Sequence, residues 1–187
     1  MMRTLRIAGV VVGSISLLVL LIGLFLPSKH HLERHITINA PVSAVFKEVN
    51  DLTKWEKWSP WRDMDPDASL RYEGPKAGVG STMIWDSTNP QVGKGSQTIV
   101  ASEPNRRVVV RLDLGDWDVD INAGWQFEDQ GANRTKVTWT NDSDNKGKLF
   151  SKYMDLFIYP ELGKRYEKGL QNLKDYVERV YNAPENV

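Results

Sequence analysis

Three histidines are the residues of this chain best suited by type to proton transfer: His30, His31 and His35. An imidazole titrates near neutral pH, so it can act as a general base, and in its neutral form it binds metals. The sequence has no cysteine, and Glu33 is the one carboxylate near this cluster, so a metal-ligand set is not completed. We interpret the histidines as polar sequence beside an apolar segment, and we predict no catalytic residue, no metal and no cofactor.

Four aspartates between positions 113 and 120 suggest calcium at first sight; they are Asp113, Asp116, Asp118 and Asp120. An EF-hand loop that starts at Asp116 needs Gly where Ile121 stands and Glu where Phe127 stands. Neither requirement is met. We therefore interpret these acidic residues as the solvated face of a strand.

The apolar segment before the histidines is a run of 20 uncharged residues, Ile7–Leu26. As a helix it would be about 30 Å long, which is the thickness of the hydrocarbon core of a bilayer. A cleaved signal peptide has a shorter apolar region and ends in small residues, and a buried helix would carry a polar stripe. We predict a transmembrane helix over 7–26, a basic N-terminus over 1–6, a linker over 27–32 and a domain over 33–183.

Orientation and assembly of the predicted anchor follow from a few residues. Arg3, Arg6 and the terminal amine precede the span, whereas Lys29 and Arg34 follow it, so the positive-inside rule slightly favours a cytoplasmic N-terminus. We expect a single-pass membrane protein with an extracytoplasmic domain, periplasmic in a bacterium. Gly9 and Gly13 match the small-xxx-small spacing and are a candidate self-association face.

The composition of the remaining chain is that of one globular domain. Its length is sufficient to bury a core. Lysine and arginine balance aspartate and glutamate at 24 each over the whole chain, so no net field attracts nucleic acid, and we expect no nucleic-acid partner. Seven Trp, six Tyr and five Phe supply large apolar areas that can fill a core or line a cavity.

Helical spacing and alternation divide this domain into elements. A first strand is predicted over 33–39 and a helix from Pro41; a second short helix is capped by Asp51 or Thr53 and is stopped by Pro60. Period-two alternation then predicts six further strands, separated by short turns that imply antiparallel pairing. They are Ser69–Tyr72, Ser81–Trp85, Ser96–Ser102, Arg107–Leu114, Trp117–Phe127 and Thr135–Trp139.

The segment 117–127 shows which face of the sheet is covered. Apolar residues occupy its odd positions, and polar residues occupy its even positions apart from Gly124, so one face is buried and the other is solvated. A long helix predicted over Glu161–Tyr181 carries one apolar stripe, and laying it on the sheet buries both surfaces. Because a single helix cannot fill a wide curved sheet, we expect a cavity between them.

Two aromatic segments have more than one interpretation. Trp55, Trp58 and Trp61 fit core residues that close one end of the sheet, and they equally fit a pocket mouth or a membrane-interface belt. The segment 146–160 combines lysines with aromatic residues. It fits a gate over the cavity or a membrane-touching loop as well as it fits a helical turn packed on the core.

Several segments of the chain together resemble the SRPBCC superfamily with its START-like helix-grip fold, and more narrowly the polyketide cyclase/dehydrase group. The matching segments are 38–46 (INAPVSAVF), 55–61 (WEKWSPW), 78–81 with Trp85, 125–127 (WQF), 135–139 (TKVTW) and 167–174 (EKGLQNLK). The resemblance implies an α+β fold, a curved antiparallel sheet wrapped around a long C-terminal helix. It also implies an apolar ligand in the groove under that helix. The resemblance assigns no catalytic residue to this chain.

The resulting expectation is a membrane-anchored domain that binds a hydrophobic small molecule or lipid without catalysis. The predicted cavity lining is Trp85, Val110, Leu112, Ile121, Ala123, Trp125, Phe127, Trp139, Tyr166, Leu170 and Leu173. A polyketide cyclase/dehydratase-like enzyme in the same cavity is the alternative, with Tyr166 as the one titratable group that the pattern places there. An interaction module that docks a partner through its acidic face or a sheet edge is a third hypothesis.

Overall fold

The computed structural model describes residues 2–115 and 117–181. Its elements are α1 (Met2–Phe25), β1 (Lys29–Ile38), α2 (Val42–Asn50), a 3₁₀ helix (Leu52–Lys57), α3 (Pro60–Met64), β2 (Ser69–Glu73), β3 (Thr82–Asp86), β4 (Lys94–Glu103), β5 (Arg107–Leu114), β6 (Trp117–Asp129), β7 (Thr135–Asp144) and α4 (Leu149–Tyr181). Asp116, the side chain of Asp118 and the end of the predicted domain at 183 lie outside the described residues.

All seven strands form one antiparallel sheet in the order β1-β7-β6-β5-β4-β3-β2. The first strand of the chain therefore lies beside the last, and the strands between them follow chain order because short turns join them. The pairing is irregular in β4 between Ile99 and Ala101 and in β5 between Leu112 and Leu114. Such bulges increase the local twist and bend the strand, which suits a sheet that curves around a helix. The architecture confirms the predicted α+β helix-grip fold.

The first strand begins earlier than its sequence pattern indicates. Residues 29–32, predicted as a linker, pair with residues 141–144, which extend β7 beyond the predicted end at Trp139. These residues are mostly polar, so hydrophobic alternation does not reveal them. All three histidines consequently lie in β1, whereas the predicted strand contains only His35.

The helices also differ from the prediction at two prolines. Asp51 caps the 3₁₀ helix as expected, since its Oδ1 accepts from the Thr53 amide at 3.1 Å. Pro60, however, begins α3 instead of ending a helix, because a proline is well tolerated in a first turn. The long helix α4 begins at Leu149 and continues through Pro160. The segment 149–159 is thus helical, and it exposes Phe150 and Phe157 instead of packing fully on the core.

The predicted transmembrane segment is helical but is not confirmed as a span. It lies within α1, and most of its side chains are exposed, including Leu17, Leu20 and Phe25. Near its end α1 contacts α4: the Lys152 Nζ donates to the Gly23 carbonyl at 3.2 Å, and the Tyr153 hydroxyl donates to the Val19 carbonyl. Among the described residues, no helix is both long and apolar enough for a membrane crossing.

The core lies between one face of the sheet and the helices α2, α3 and α4. Its members include Ile38, Val49 and Leu52 at the α2 end, and Leu170, Leu173 and Val177 on α4. We call the sheet face that contributes to this core the inner face. The opposite, outer face carries the polar residues of the alternating strands.

Two glycines of α4 offer a matched test of how tightly this helix packs. A Cβ at Gly169 would lie 2.7 Å from the Trp139 ring and 2.9 Å from Pro60 Cδ, and neither neighbour can move freely. A Cβ at Gly163 would lie 2.6 Å from Arg34 Nη2, which is the end of a flexible side chain. We expect Gly169→Ala to lower the free energy of unfolding by about 1–3 kcal/mol, because overpacking outweighs the helix propensity gained.

The control is Gly163→Ala, which gains the same propensity and requires only a shift of the Arg34 side chain. We expect it to be neutral or to stabilise by up to about 1 kcal/mol. Urea unfolding followed by circular dichroism measures both variants. Equal stability of the two would contradict close packing of α4 on Trp139.

Candidate functional site

One row of directly paired residues crosses the inner face through all seven strands. In strand order from β2 to β1 it consists of Tyr72, Met83, Gln97, Leu112, Ile121, Ser143 and His30. Directly opposed residues of antiparallel strands point to the same side of the sheet, so these side chains form a continuous stripe. The row combines the apolar residues Met83, Leu112 and Ile121 with polar ones, which is the composition of a site that holds an apolar molecule and orients it.

On one side of this row the inner face is filled by aromatic rings. The Trp139 ring stacks on Tyr166 of α4 at 3.9 Å between centroids and on Trp125 at 4.8 Å. Trp55, Trp58 and Trp61 meet these rings edge-on or tilted, at 4.8–6.1 Å from Trp125 or Trp139. The core interpretation of the three tryptophans is therefore correct for Trp55 and Trp58, which are buried, and Trp61 packs against the same core.

The predicted cavity lining divides into two groups. Eight residues are buried in the packed core: Val110, Ala123, Trp125, Phe127, Trp139, Tyr166, Leu170 and Leu173. Three residues, Trp85, Leu112 and Ile121, are only half-buried. The space still accessible on the inner face thus lies at the row and beyond it, where β3 and β5 end and β6 begins.

We call Met83, Trp85, Leu112 and Ile121 the open end of the inner face. Met83 and Leu112 border the core, and all four side chains are half-buried. The Trp85 ring lies over Gly95 of the next strand, where a Cβ would come within 2.6 Å of it. Its indole nitrogen donates to the Val92 carbonyl at 3.4 Å, so the ring is held against the sheet and does not cover the row. Sequence alternation identified three of these residues and missed Met83.

Two tyrosines of α4 reach the inner face and make hydrogen bonds there. The Asn141 amide donates to the Tyr166 hydroxyl at 3.2 Å, and Ser143 binds the Tyr159 hydroxyl. Burial raises the pKa of both tyrosines above their ordinary value, and the hydrogen bonds from Asn141 and Ser143 offset only part of this rise. Both phenols therefore stay protonated at neutral pH, so Tyr166 is not suited to the role of a base.

The polar end of the row lies where β1, β7 and α4 meet. The His30 ring stacks on Tyr159 at 4.4 Å, and its Nε2 lies 3.0 Å from Asp155 Oδ2. Asn145 donates to the same carboxylate oxygen at 2.7 Å. His30 and Asp155 are 17 % and 14 % exposed, so this corner is a largely buried polar cluster. The sequence did not reveal it, because only the pairing of residues 29–32 places His30 on the inner face.

The outer face is solvated, as predicted. Surface depressions of about 470 and 350 Å³ are lined mainly by its polar residues, among them Arg107 and Gln126 in the first and Arg111 and Asn122 in the second. His31 belongs to the same side of β1, and its hydrogen bond to Asp142 raises its pKa. Among the described residues no group of three or more histidine, aspartate or glutamate side chains is arranged to hold a metal ion.

A seven-stranded antiparallel sheet with a long terminal helix on its inner face defines the helix-grip class of α+β proteins. Within that class, residues 29–178 match the family described as polyketide cyclase / dehydrase and lipid transport, and the chain belongs to this family. The match begins at the first residue of β1, in agreement with the early start of the strand.

Several solved structures share the fold at low sequence identity. The Zhui aromatase/cyclase from Streptomyces sp. R1128 is 18% identical, with a TM-score of 0.57, and the alignment covers 85% of this chain and 99% of that one. Norcoclaurine synthase from Thalictrum flavum, in complex with dopamine and hydroxybenzaldehyde, is 11% identical, with a TM-score of 0.60 and coverage of 89% and 94%. CalU16 from Micromonospora echinospora is 15% identical, with a TM-score of 0.54 and coverage of 84% and 78%. The comparison with curated proteins found no match.

From the hydrogen bond between Asn141 and Tyr166 we predict an effect on stability that does not depend on ligand binding or catalysis. Tyr166→Phe removes the acceptor and leaves the buried Asn141 amide without its partner, so we expect a loss of about 1–3 kcal/mol in the free energy of unfolding. The double variant Asn141→Leu with Tyr166→Phe removes both polar groups and should recover part of that loss. Urea unfolding of the two single variants and the double variant completes the cycle. Full additivity would show that the two side chains do not interact.

Proposed function

We propose that the domain binds a hydrophobic small molecule at the open end of its inner face. The observation that carries this proposal is the half-buried apolar surface of Met83, Trp85, Leu112 and Ile121 on a sheet face whose other part is packed. Apolar side chains left half-exposed beside a few polar groups are typical of small-molecule sites. The ligand is held by apolar contact, and the polar residues of the row set its orientation.

The family and the similar structures support this proposal. The family description includes lipid transport, and the norcoclaurine synthase structure holds two small aromatic compounds in the same fold. Fold alone does not supply a function, so the support for this chain comes from its own open surface. Burial raises the pKa of Tyr159 and Tyr166 and keeps both phenols protonated, which disfavours either tyrosine as a general base.

The alternative, a cyclase or dehydratase-like enzyme, is favoured by one observation. His30 lies on the cross-strand row beside Asp155, and a histidine oriented by a carboxylate is a common form of general base. In this alternative His30, and not Tyr166, would accept the proton. The binding proposal requires no such step.

A charge introduced at the open end should abolish binding of an apolar probe. We expect Leu112→Lys to weaken the binding of fluorene by about tenfold or more, because the ammonium must lose water or exclude the probe. The control is Val109→Lys, a charge on the outer face of the same strand, which should leave the affinity within about twofold of the parent. The measurement is a titration of the full chain in detergent, followed by the ¹³C-methyl NMR signal of Met83.

Each variant is measured in identical micelles, so partition of fluorene into detergent is the same for all and cancels in the comparison. Equal affinities of Leu112→Lys and the parent would contradict a site at the open end.

We further propose that α1 attaches the domain to a lipid membrane. Support comes from its exposed apolar side chains, for example Val12, Leu20 and Phe25, which water does not favour. The first turns of α4, which contact α1, expose Phe150 and Phe157 in addition. A single-pass span over 7–26, an extracytoplasmic domain and self-association through Gly9 and Gly13 stay predictions from sequence; no atom lies within 4 Å of a Cβ at either glycine.

Vesicle flotation tests membrane attachment by α1. We expect the full chain to float with phosphatidylcholine vesicles and the variant Val12→Glu with Leu20→Glu to stay in the dense fraction, because burying two carboxylates in lipid is costly. The control is Val79→Glu with Val180→Glu, which places the same charges on exposed apolar positions outside α1. Flotation of the α1 variant to the same extent as the control would show that α1 does not attach the domain to the membrane.

A further inference from the structure

Gln97 is the polar residue near the centre of the cross-strand row, and its amide nitrogen has no hydrogen-bond partner. The side chain is on β4, between Met83 of β3 and Leu112 of β5, and the residue is only 5% exposed. Its Nε2 is buried without a hydrogen bond. A buried amide donor without an acceptor is rare in proteins, since desolvation of the group is then uncompensated.

Other buried polar atoms in the described part of the chain also lack a hydrogen bond, but none of them belongs to a residue of the open end or to a direct neighbour of Met83 or Leu112 on the row. They are His30 Nε2, Glu48 Oε2, Trp125 Nε1 and Trp139 Nε1. His30 Nε2 lies 3.0 Å from Asp155 Oδ2. The other carboxylate oxygen of Glu48, Oε1, accepts a hydrogen bond from Lys54 Nζ at 2.6 Å.

The two indole nitrogens lie within the aromatic cluster. Trp55 meets the Trp125 ring edge-on, and Trp58 and Trp61 meet the Trp139 ring in the same way. Both rings are buried in the packed core, away from the open end. Gln97 lies instead on the row, between two residues of the open end. Its two paired neighbours on the inner face are a methionine and a leucine, which offer no oxygen.

The charges around the row restrict which ligand groups can accept a hydrogen bond from Gln97. Among the row residues there is no lysine or arginine, and the one histidine faces a carboxylate. Arg34, which lies on the inner face of β1 farther along the strand, is bound to Glu167 at 2.6 Å. Arg62, near the row residue Tyr72, lies 3.9 Å from Glu56. A negatively charged group on the row would therefore lose water without gaining a cation from the row itself. The surroundings of Gln97 fit a neutral acceptor.

We propose that the ligand of the inner face is an uncharged, largely apolar molecule with an internal hydrogen-bond acceptor, such as a ketone, ester or quinone carbonyl, which accepts from Gln97 Nε2. This inference rests on the proposed ligand site at the open end and makes its chemistry specific. Hydrocarbon on either side of the acceptor lies against Met83 and Leu112. Gln97 is then the residue that distinguishes a carbonyl compound from a hydrocarbon of the same shape.

A pair of isosteric probes tests this inference: fluorenone carries a carbonyl where fluorene carries a methylene group. Both are titrated against the full chain in detergent, with the Met83 methyl signal as the readout, for the parent and for Gln97→Leu. We expect Gln97→Leu to weaken fluorenone binding by about tenfold, which corresponds to one lost hydrogen bond to a buried amide. Fluorene binding should be unchanged or tighter, because the substitution removes an unpaired polar group.

Two controls complete the experiment. Gln126→Leu removes an exposed amide from the outer face and should change neither affinity. Fluorene-9-carboxylate should bind no more tightly than fluorene, since the row offers it no unpaired cation. For each probe, the ratio of variant to parent affinity is independent of partition into the micelles. Gln97→Leu should fold at least as stably as the parent, and urea unfolding confirms this.

The outcomes separate this inference from the function on which it rests. A selective loss of fluorenone binding in Gln97→Leu supports both. If both probes shift the Met83 signal but Gln97→Leu leaves the fluorenone affinity unchanged, the acceptor proposal is overturned and apolar binding survives. Tighter binding of the carboxylate than of fluorene likewise overturns the neutral ligand. If no probe shifts the Met83 signal, the ligand site itself is wrong.

Discussion

The contact between Trp139 and Tyr166 fixes the relation between the sheet and its terminal helix. The two rings lie nearly parallel, 18° apart, and Trp125 continues the stack on the neighbouring strand. Stacked aromatic pairs stabilise an interface beyond the area they bury. Because Gly169 lets Trp139 and Pro60 approach the helix backbone, α4 is held on β7 and β1 and does not reach across the whole sheet. The unequal coverage of the inner face follows from this contact.

The same arrangement decides which predicted residues belong to a core and which to a site. The sequence predicts a common apolar face for residues 108–114 and 117–127, and the structure confirms that face. Alternation cannot show that α2 and the 3₁₀ helix cover the Trp125 end of this face and leave the Ile121 end half-buried. That distinction depends on where the helices pack, which is a property of tertiary contacts such as Trp139 with Tyr166.

Regular alternation explains why β5 and β6 were predicted almost to the residue, and polar pairing explains why β1 was not. Residues 29–32 gain their strand structure from hydrogen bonds with residues 141–144, and these bonds do not depend on apolar side chains. The roles of His30 and Gln97 were missed for a related reason. A polar residue is assigned to the inner face only through its cross-strand partner, and register across seven strands is not visible in one sequence. Neither Pro60, which begins α3, nor Pro160, which lies inside α4, ends a helix in this fold.

The proposed ligand site and the proposed membrane contact lie at the same end of the sheet. β1 begins there, with three residues between it and the end of α1, and Ile121 and Leu112 lie towards the corresponding ends of β6 and β5. The first turns of α4, with exposed Phe150 and Phe157, contact α1 at that end as well. A neutral apolar ligand is more soluble in lipid than in water, so a site that opens beside the membrane attachment has its ligand available over a short path. The uncharged character of the row and the position of α1 are therefore two aspects of one physical requirement.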